Sequence, residues 1–368
     1  MTVYYHDGEF PPDDRLEWSD LIPLLGPTAA AIARYDGILG LIPNPLSLLT
    51  PSKVQEAVFS SRIEGTQTTV IEVLRSESGG GRVPMSAERQ LDIQEVLNYI
   101  NAMNKAEKLL EKYPLSQRVI KESHIILMQG LRGHGKSPGQ YRRIQNWIGP
   151  SNCKIDEAKF VPVDAQKLDD AMSKWEKYIH QDHPDQLVQL SILHAEFESL
   201  HPFLDGNGRL GRMLIPLFLW QQNLLQKPIF NISSYFEADR DSYYDGLLSV
   251  SKDKNWTRWI KYFLEALGKQ AEYNYQKSYK ILELYENTKE EVAKNVRSQY
   301  AILALDWIFN NPVFRTSRFK NNQGIPRASA NRVLSAFKNL DILTEYEKKR
   351  GNISAVYAFP KLIEIIDS

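Results

Sequence analysis

The sequence predicts a mainly α-helical protein that carries one β-hairpin and ends in a domain of helices and short strands. Across 184–200, and again after 210, apolar residues recur every three or four positions, which is the spacing of buried helices. The region 133–163 is instead rich in glycine and proline and contains two β-prone runs, QNWIG and KFVPV. From about residue 297 the pattern becomes helix, turn, helix and two short strands. We therefore expect a helical body with a hairpin, followed by a separate C-terminal domain.

The composition is that of an ordinary globular protein, and it limits the partners of the chain as a whole. Among 368 residues, 45 are Lys or Arg and 45 are Asp or Glu, so the formal net charge is zero. No overall field therefore attracts nucleic acid or an anionic membrane. The first residues lack the pattern of a signal peptide and no apolar run is long enough for a membrane span, so we expect a cytoplasmic protein. Cys153 is the single cysteine, which excludes an intrachain disulfide and a cysteine-based metal cluster.

Most of the chain before the hairpin is predicted to be helical. The first 50 residues contain many proline and glycine breaks, so only TAAAIARYDGIL, residues 28–39, is expected to form a short helix there. A better helix begins near Ser52 and is stopped by Gly65. Further helices are predicted at about 86–112, 116–131 and 164–180, and from Pro184 onward.

The connection between the two most apolar helices has an unusual composition. HPFLDGNGRLGR, residues 201–212, combines a histidine, an aspartate, three glycines and two arginines. A helix N-terminus carries unpaired N–H groups and a partial positive charge, and glycines before it let the backbone approach a phosphate closely. Gly206, Asn207 and Gly208 lie at that place. They predict an anion site at the start of the second helix.

The charged side chains of the same stretch fit nucleotide chemistry. Arg209 and Arg212 are neighbours on the first turn of the helix, and guanidinium groups match phosphate oxygens. Asp205 offers the kind of oxygen that Mg²⁺ prefers when substrate phosphates complete its shell. His201 is a suitable proton acceptor at neutral pH. Each residue alone also fits a helix cap, a turn or a surface ion pair, but together they favour a phosphate site with a base beside it.

The stretch resembles the motif of the Fic family, HPFx(D/E)GNGRxxR, and agrees with it at every specified position. The hairpin and the later segment SYFEADRDSYYDGLL also look like the flap and trailing helices of the family, so the resemblance covers roughly residues 50–270. Fic proteins have an all-helical core, and most transfer AMP from ATP to a hydroxyl of a target protein.

The resemblance implies a role for each residue of the motif. His201 would be the general base, Asp205 would hold Mg²⁺, and the hairpin at 145–163 would dock the target as an added strand. It also implies an ATP site that consists of Glu64, Asp205, Gly206, Asn207, Gly208, Arg209, Leu210, Gly211, Arg212, Tyr243 and Tyr244. For the two tyrosines, packing within a helix is an equally good interpretation.

A second motif, SSRIEG, is similar to the inhibitory motif of the family, (S/T)xxxE(G/N). It places Ser60, Glu64 and Gly65 before the core, as in the class that is inhibited by its own N-terminal side. A carboxylate at the C-terminal end of a helix is unfavourably placed in the field of the helix, so Glu64 gains if a cation lies opposite. Ser60, four residues earlier, is expected to hydrogen-bond to Glu64 and aim it. A solvated helix end is the alternative interpretation.

The C-terminal region differs from the rest in charge. Residues 297–350 contain ten Lys or Arg and four Asp or Glu, a local net charge of +6. The order of elements predicts a winged helix, with residues 329–340 as its recognition-type helix. DNA is one expected partner of residues 297–368, and protein docking or homodimer formation is the alternative.

These observations predict four parts: an N-terminal helical segment with the inhibitory helix (1–112), a catalytic core (113–270), a helical linker (271–296) and a winged-helix domain (297–368). We predict a protein adenylyltransferase that uses ATP and Mg²⁺, modifies a target and itself, and is inhibited by Glu64. Two alternatives remain. One is removal of AMP from a modified target, and the other is a DNA-binding regulator whose core senses nucleotide.

Overall fold

The protein is described by a computed structural model that covers residues 2–42, 50–77, 86–130, 135–150, 152–321, 324–349, 351 and 353–367. Its helices are α1 (Trp18–Leu41), α2 (Thr50–Ile63), α3 (Val70–Glu77), α4 (Ala87–Leu110), α5 (Gln117–Leu127), α6 (Leu168–Ile179), α7 (Gln186–Leu200), α8 (Asn207–Gln221), α9 (Ser233–Ala238), α10 (Arg240–Lys252), α11 (Trp256–Asn295), α12 (Ala301–Asn310), α13 (Thr316–Lys320), α14 (Arg327–Asn339) and α15 (Pro360–Asp367). Its strands are β1 (Val3–Tyr4), β2 (Phe160–Val161), β3 (Val313–Arg315), β4 (Thr344–Glu347) and β5 (Val356–Ala358). The predicted mainly α fold is confirmed.

Helices α7 and α8 lie at the centre of the protein. Helix α7 begins after Asp185, whose carboxylate accepts hydrogen bonds from the N–H groups of Leu187 (2.8 Å) and Val188 (3.0 Å). This is an N-cap, one residue beyond the predicted start at Pro184. Almost every residue of both helices is buried, as expected for helices that are apolar on all sides. The loop that joins them is therefore held between two fixed helix ends.

Helix α1 is twice as long as the sequence predicts. It spans 24 residues rather than the expected 28–39, and Pro23 and Pro27 lie within it. A proline inside a helix removes a main-chain hydrogen bond, which is why the sequence indicated a break. Packing against α11 outweighs that loss, and the Thr28 hydroxyl donates to the carbonyl of Leu264 in α11 (3.1 Å).

Helix α11 runs without interruption for 40 residues. The expected boundary between the core and the linker, at 270/271, lies inside it, so the described chain does not change direction there. The four-part division of the chain stays a prediction.

The region 145–163, which we name the flap, contains the predicted antiparallel pairing. Ile148 pairs with Phe160, with hydrogen bonds of 2.8 and 3.1 Å between their main-chain groups. An unpredicted strand lies on the other side of Phe160, because β1 pairs in parallel with β2. The side chain of Tyr5, just beyond β1, donates to Glu196 of α7 (2.6 Å). The N-terminal residues therefore join the flap to the central helix.

The C-terminal domain, residues 301–367, contains α12 to α15 and an antiparallel sheet with the strand order β3-β5-β4. The predicted recognition-type helix, 329–340, corresponds to α14. Strand β3 and helices α13 and α15 were not predicted. The order helix, strand, helix, helix and two strands fits the expected winged helix, whose assignment stays a prediction.

Within the described ranges, no helix combines the length and the apolar character that a bilayer span requires.

Candidate functional site

The loop between α7 and α8 is shaped by two left-handed residues and one side chain. His201 ends α7 with a φ of 47°, and Gly206 precedes α8 with a φ of 80°. Asn207 closes the loop, because its side-chain oxygen accepts from the N–H of Phe203 (2.8 Å) and its amide nitrogen donates to the Phe203 carbonyl (2.9 Å). The Asn207 side chain is thus used inside the loop, and its main-chain N–H belongs to the first turn of α8.

The first turn of α8 carries main-chain N–H groups that have no partner inside the helix, as at every helix N-terminus. In this structure a carboxylate of the chain itself lies against that turn. A Cβ atom added at Gly208 would collide with Oε1 of Glu64 and would lie 3.0 Å from the Arg212 guanidinium. Only glycine leaves room for the Glu64 carboxylate at this point.

Glu64 reaches this position from the end of α2 and pairs with Arg212. Its Oε1 lies 2.6 Å from Nη2 of Arg212. The side chain of Arg212 is 1% exposed and that of Glu64 is 35% exposed. The arginine is therefore enclosed by the protein, whereas the glutamate approaches it from the solvent side.

The partner of Ser60 differs from the expectation. The sequence suggested a bond between Ser60 and Glu64, but the Ser60 hydroxyl accepts from Nε of Arg212 (2.9 Å) and its carbonyl accepts from Nη2 (2.8 Å). The guanidinium has several donors in fixed directions, and two of them reach the last turns of α2. Ser60 therefore orients the arginine, while Gly65, with a φ of 108°, turns the chain away after Glu64.

The local environment sets the charge of both candidate groups. Burial is the largest single influence on Glu64 and would raise its pKa, but the charge and hydrogen bond of Arg212, together with the charge of Arg209, lower the pKa overall, so the carboxylate is ionised at neutral pH. Burial lowers the pKa of His201 to about 4, and the nearby negative charge of Glu64 opposes this shift only in part. His201 is consequently neutral near pH 7 and can accept a proton.

Asp205 and Arg209 face a cavity of about 470 Å³ between α4 and the loop. Oδ1 of Asp205 accepts from the N–H of Gly206 (2.6 Å) and from Arg209 (3.3 Å), and Arg209 also contacts Glu95 of α4 (3.2 Å). No group of three or more His, Cys, Asp or Glu residues in the described chain could hold a metal ion unaided. A single half-exposed carboxylate fits Mg²⁺ that arrives with substrate phosphates. No motif in the sequence had indicated that Glu95 lies beside Arg209.

A second cavity, of about 380 Å³, lies between the flap and α10. Ile148, Phe160 and Leu247 give it an apolar wall, Tyr244 lines it, and Glu198 lies beside it. Burial raises the pKa of Glu198 to about 7, against the nearby charge of Arg212. The cavity therefore combines an apolar wall with polar side chains of α7 and α10, among them Glu198 and Asp245.

The adjacent residues Tyr243 and Tyr244 lie in different environments. Tyr244 lines the cavity, but Tyr243 is 1% exposed, stacks on Phe236 at 4.3 Å and pairs its hydroxyl with Nε2 of His194 (2.9 Å). Consecutive helical residues point in different directions, so the alternative interpretation, packing within a helix, describes Tyr243 in this structure, and its contact with a nucleoside stays a prediction.

Leu210 and Gly211, which the resemblance also places in the ATP site, lie in the interior of the protein. Leu210 is 1% exposed in the core, and Gly211 lies against Glu198 and Phe197 of α7. Both positions therefore serve packing between α7 and α8.

Two buried residues that the sequence analysis missed hold the loop from behind. Nδ1 of His124 accepts from the N–H of Gly139 (2.8 Å), so Nε2 carries the proton and donates to the carbonyl of Asp205 (3.0 Å). The His124 ring stacks on Phe203 at 3.8 Å. His124 therefore links the chain before the flap to the end of the loop that carries Asp205.

Arg142 holds the other end of the loop. Its guanidinium donates to the carbonyls of His201 (3.0 Å) and Leu200 (3.3 Å), and also to Val163 of the flap. Carbonyls at a helix C-terminus lack hydrogen-bond donors within the helix, and Arg142 supplies donors to two of them. Neither residue could be found from local pattern, since both bind main-chain oxygens far away in sequence.

This geometry agrees with what the chain is similar to. The Fic/DOC family N-terminal model matches residues 22–108 and the Fic/DOC family model matches residues 114–219, which together are more than half of the chain. The protein therefore belongs to the Fic/DOC family.

Individual relatives are more distant. A probable protein adenylyltransferase of Aquifex aeolicus is 26% identical over 59% of this chain, and the match spans 62% of that relative. A Fic family protein from Desulfovibrio desulfuricans has 19% identity, covers 92% of this chain and 95% of its own, and gives a TM-score of 0.57. A Fic domain containing signaling protein from Bacteroides thetaiotaomicron has 16% identity, covers 70% of this chain and 97% of its own, and also gives a TM-score of 0.57. The solved structures support the fold.

Proposed function

We propose that this protein is a protein adenylyltransferase, which transfers AMP from ATP to a hydroxyl of a target protein and of itself, and that Glu64 inhibits it. One observation carries the proposal. A carboxylate of the chain occupies the anion position at the first turn of α8 and is paired there with a buried arginine. The negative group that this position is built for is a phosphate. The name of the relative from Aquifex aeolicus supports the same reaction class.

Transfer requires a base, a phosphate cradle and a way to balance charge. His201, neutral at pH 7, accepts the proton of the attacking hydroxyl. The hydroxyl oxygen forms a bond to the α phosphorus, the bond from that phosphorus to the bridging oxygen breaks, and pyrophosphate leaves. The N–H groups of the first turn of α8 face the oxygens of the transferred phosphoryl group.

The remaining residues bind the ends of the substrate. Asp205 would hold Mg²⁺, which would neutralise phosphate charge. Arg209 and Arg212 present guanidinium groups to the β and γ phosphates once Glu64 withdraws. The nucleoside fits the cavity of about 380 Å³ beside Tyr244. The target segment would add to the free edge of the flap through main-chain hydrogen bonds.

The test uses purified protein, a cell lysate, Mg²⁺ and ATP labelled on the α phosphate. We expect weak labelling by the wild type, stronger labelling by Glu64→Gly and none by Glu64→Gly combined with His201→Ala. Absence of label with every variant, although each binds ATP, would contradict transfer. Release of AMP from labelled product by the wild type would favour the reverse reaction.

A second candidate function rests on the surface of α14. Arg327, Arg332 and Lys338 are exposed on this helix, which contains no acidic residue. Lys338 pairs with Glu345 (3.2 Å), which leaves Arg327 and Arg332 as the exposed cations that could contact phosphates, and we propose DNA as a ligand of the C-terminal domain. A gel shift that weakens with salt and is lost in Arg327→Ala with Arg332→Ala would support it. No shift by the wild type at low salt would contradict it.

A further inference from the structure

We infer that the C-terminal domain regulates the site by holding the two helices between which Glu64 lies. The inference rests on the proposed inhibitory role of Glu64 and gives this domain a function inside the chain. Residues 64–69 form a short connection from α2 to α3. Contacts from residues 315–366 reach both of these helices, whereas the motif loop itself is held by His124 and Arg142.

Helix α3 is held at its C-terminal half. Arg75 forms an ion pair with Glu347 of β4 and lies over the ring of Tyr346 at 4.9 Å. Two residues further along, the carbonyl of Glu77 accepts from Nη1 of Arg318 in α13 (2.7 Å). A carbonyl at a helix C-terminus has no partner in its own helix, so Arg318 supplies a bond that α3 cannot make alone. The C-terminal domain therefore fixes the direction of α3.

Helix α2 is held by the very end of the described chain. The side chain of Gln55 donates to the carbonyl of Ile366 in α15 (2.9 Å), and Lys277 of α11 donates both to that carbonyl (2.8 Å) and to the Gln55 oxygen (3.1 Å). Gln55 is 2% exposed and Lys277 is 7% exposed. Because water does not compete at this depth, the junction is sensitive to the loss of any one member.

The contacts on α2 and the inhibitory pair belong to one rigid element. Gln55 precedes Ser60 by five residues and Glu64 by nine, and Ser60 and Glu64 both bind Arg212. A helix transmits a displacement along its axis because its main-chain bonds keep it straight. A shift of the C-terminal domain that releases α15 and β4 frees α2 and α3 together and moves Glu64 away from Arg212.

The test loosens α3 at residues outside the site. Arg75→Gln combined with Arg318→Ala removes the contacts of Arg75 with β4 and the hydrogen bond from Arg318 to α3 without changing a core side chain. The matched control is Arg34→Gln, which removes an ion pair between α1 and α11 (Arg34 to Glu272, 3.0 Å) and touches neither α2 nor α3. Hydrogen exchange is followed at the amides of Glu64, Gly65 and Thr66, which bond to the carbonyls of Ser61 and Arg62.

We expect the double variant to raise the exchange rate of these three amides and to increase self-labelling with ATP about three- to ten-fold, while Arg34→Gln changes neither. In a Glu64→Gly background the same double variant should add less than two-fold, because the group that it releases is already gone. Unchanged exchange at 64–66 would overturn the inference, and so would an equal gain with and without Glu64. If no variant labels at all, adenylyl transfer itself fails, and the exchange result still decides whether the domain holds this segment.

Discussion

Replacing Glu64 by glycine should convert the protein into a more active form. The side chain that the change deletes lies against Gly208 and engages the guanidinium of Arg212, which would bind a substrate phosphate in the proposed function. The substitution also removes the only part of residue 64 that reaches α8, and it lies next to Gly65 in a turn after α2, where a second glycine is tolerated. We therefore expect a gain of activity from the loss of a charged residue.

The size of the gain follows from the geometry of the pair. A charge-assisted hydrogen bond contributes about 1.5–3 kcal/mol when it is well formed. Glu64 is 35% exposed, so solvent screens its side of the pair, and we take the lower part of that range. A difference of about 1.5–2 kcal/mol corresponds to roughly 10- to 30-fold in affinity for the nucleotide phosphates.

The assay is calorimetric titration of Mg·ATP into wild type, Glu64→Gly and Glu64→Gly with Arg212→Ala. The single variant should bind 10- to 30-fold more tightly, and the gain should largely disappear in the double variant, because Arg212 is the group that becomes available. Equal affinity of the wild type and Glu64→Gly, with both proteins folded, would refute the reasoning.

The remaining predictions concern the loop and its supports. His201→Ala should lower the transfer rate by about 10² to 10⁴ and leave ATP affinity within a few-fold, as single-turnover and binding measurements would show. Because burial holds the pKa of His201 at about 4, kcat/KM should stay level from pH 8 to about pH 5 and fall only below that, and a fall beginning near pH 7 would contradict a buried neutral base. Asp205→Ala should raise the Mg²⁺ concentration needed for half-maximal rate, measured by titration. His124→Gln should keep the bond to the Asp205 carbonyl and a near-normal Mg²⁺ requirement, whereas His124→Asn, which keeps only the bond to Gly139, should need about ten-fold more Mg²⁺ at a similar Tm.

The local sequence was sufficient to predict helices, and to propose candidate site residues, where these lie within one continuous stretch of chain. The helix period predicted α7 and α8, and the motif between them marked His201, Asp205 and the two arginines as candidates whose roles stay a prediction. A cation opposite Glu64 was also expected, because an acidic residue at a helix C-terminus is unfavourable without one, and the structure identifies that cation as Arg212.

The features that the sequence did not predict depend on distant main-chain groups. His124 and Arg142 bind carbonyls of residues 200–205, and a carbonyl leaves no trace in a sequence because every residue has one. Strand β1 pairs with β2 across more than 150 positions, and two residues are too few to form a recognisable period. Neighbouring Tyr243 and Tyr244 could not be told apart, because the side of α10 that faces the cavity is set by packing on α11.

The position of the label in the product tests adenylyl transfer most directly. Glu64→Gly is incubated with Mg²⁺ and with ATP labelled either on the α or on the γ phosphate, and the protein is then digested and analysed by mass spectrometry. The account predicts that the α label and the mass of one AMP appear on a Ser, Thr or Tyr hydroxyl, that the γ label is released with pyrophosphate, and that both signals vanish in the variant that also carries His201→Ala. Transfer of the γ label to protein, or an α label that persists without His201, would contradict it.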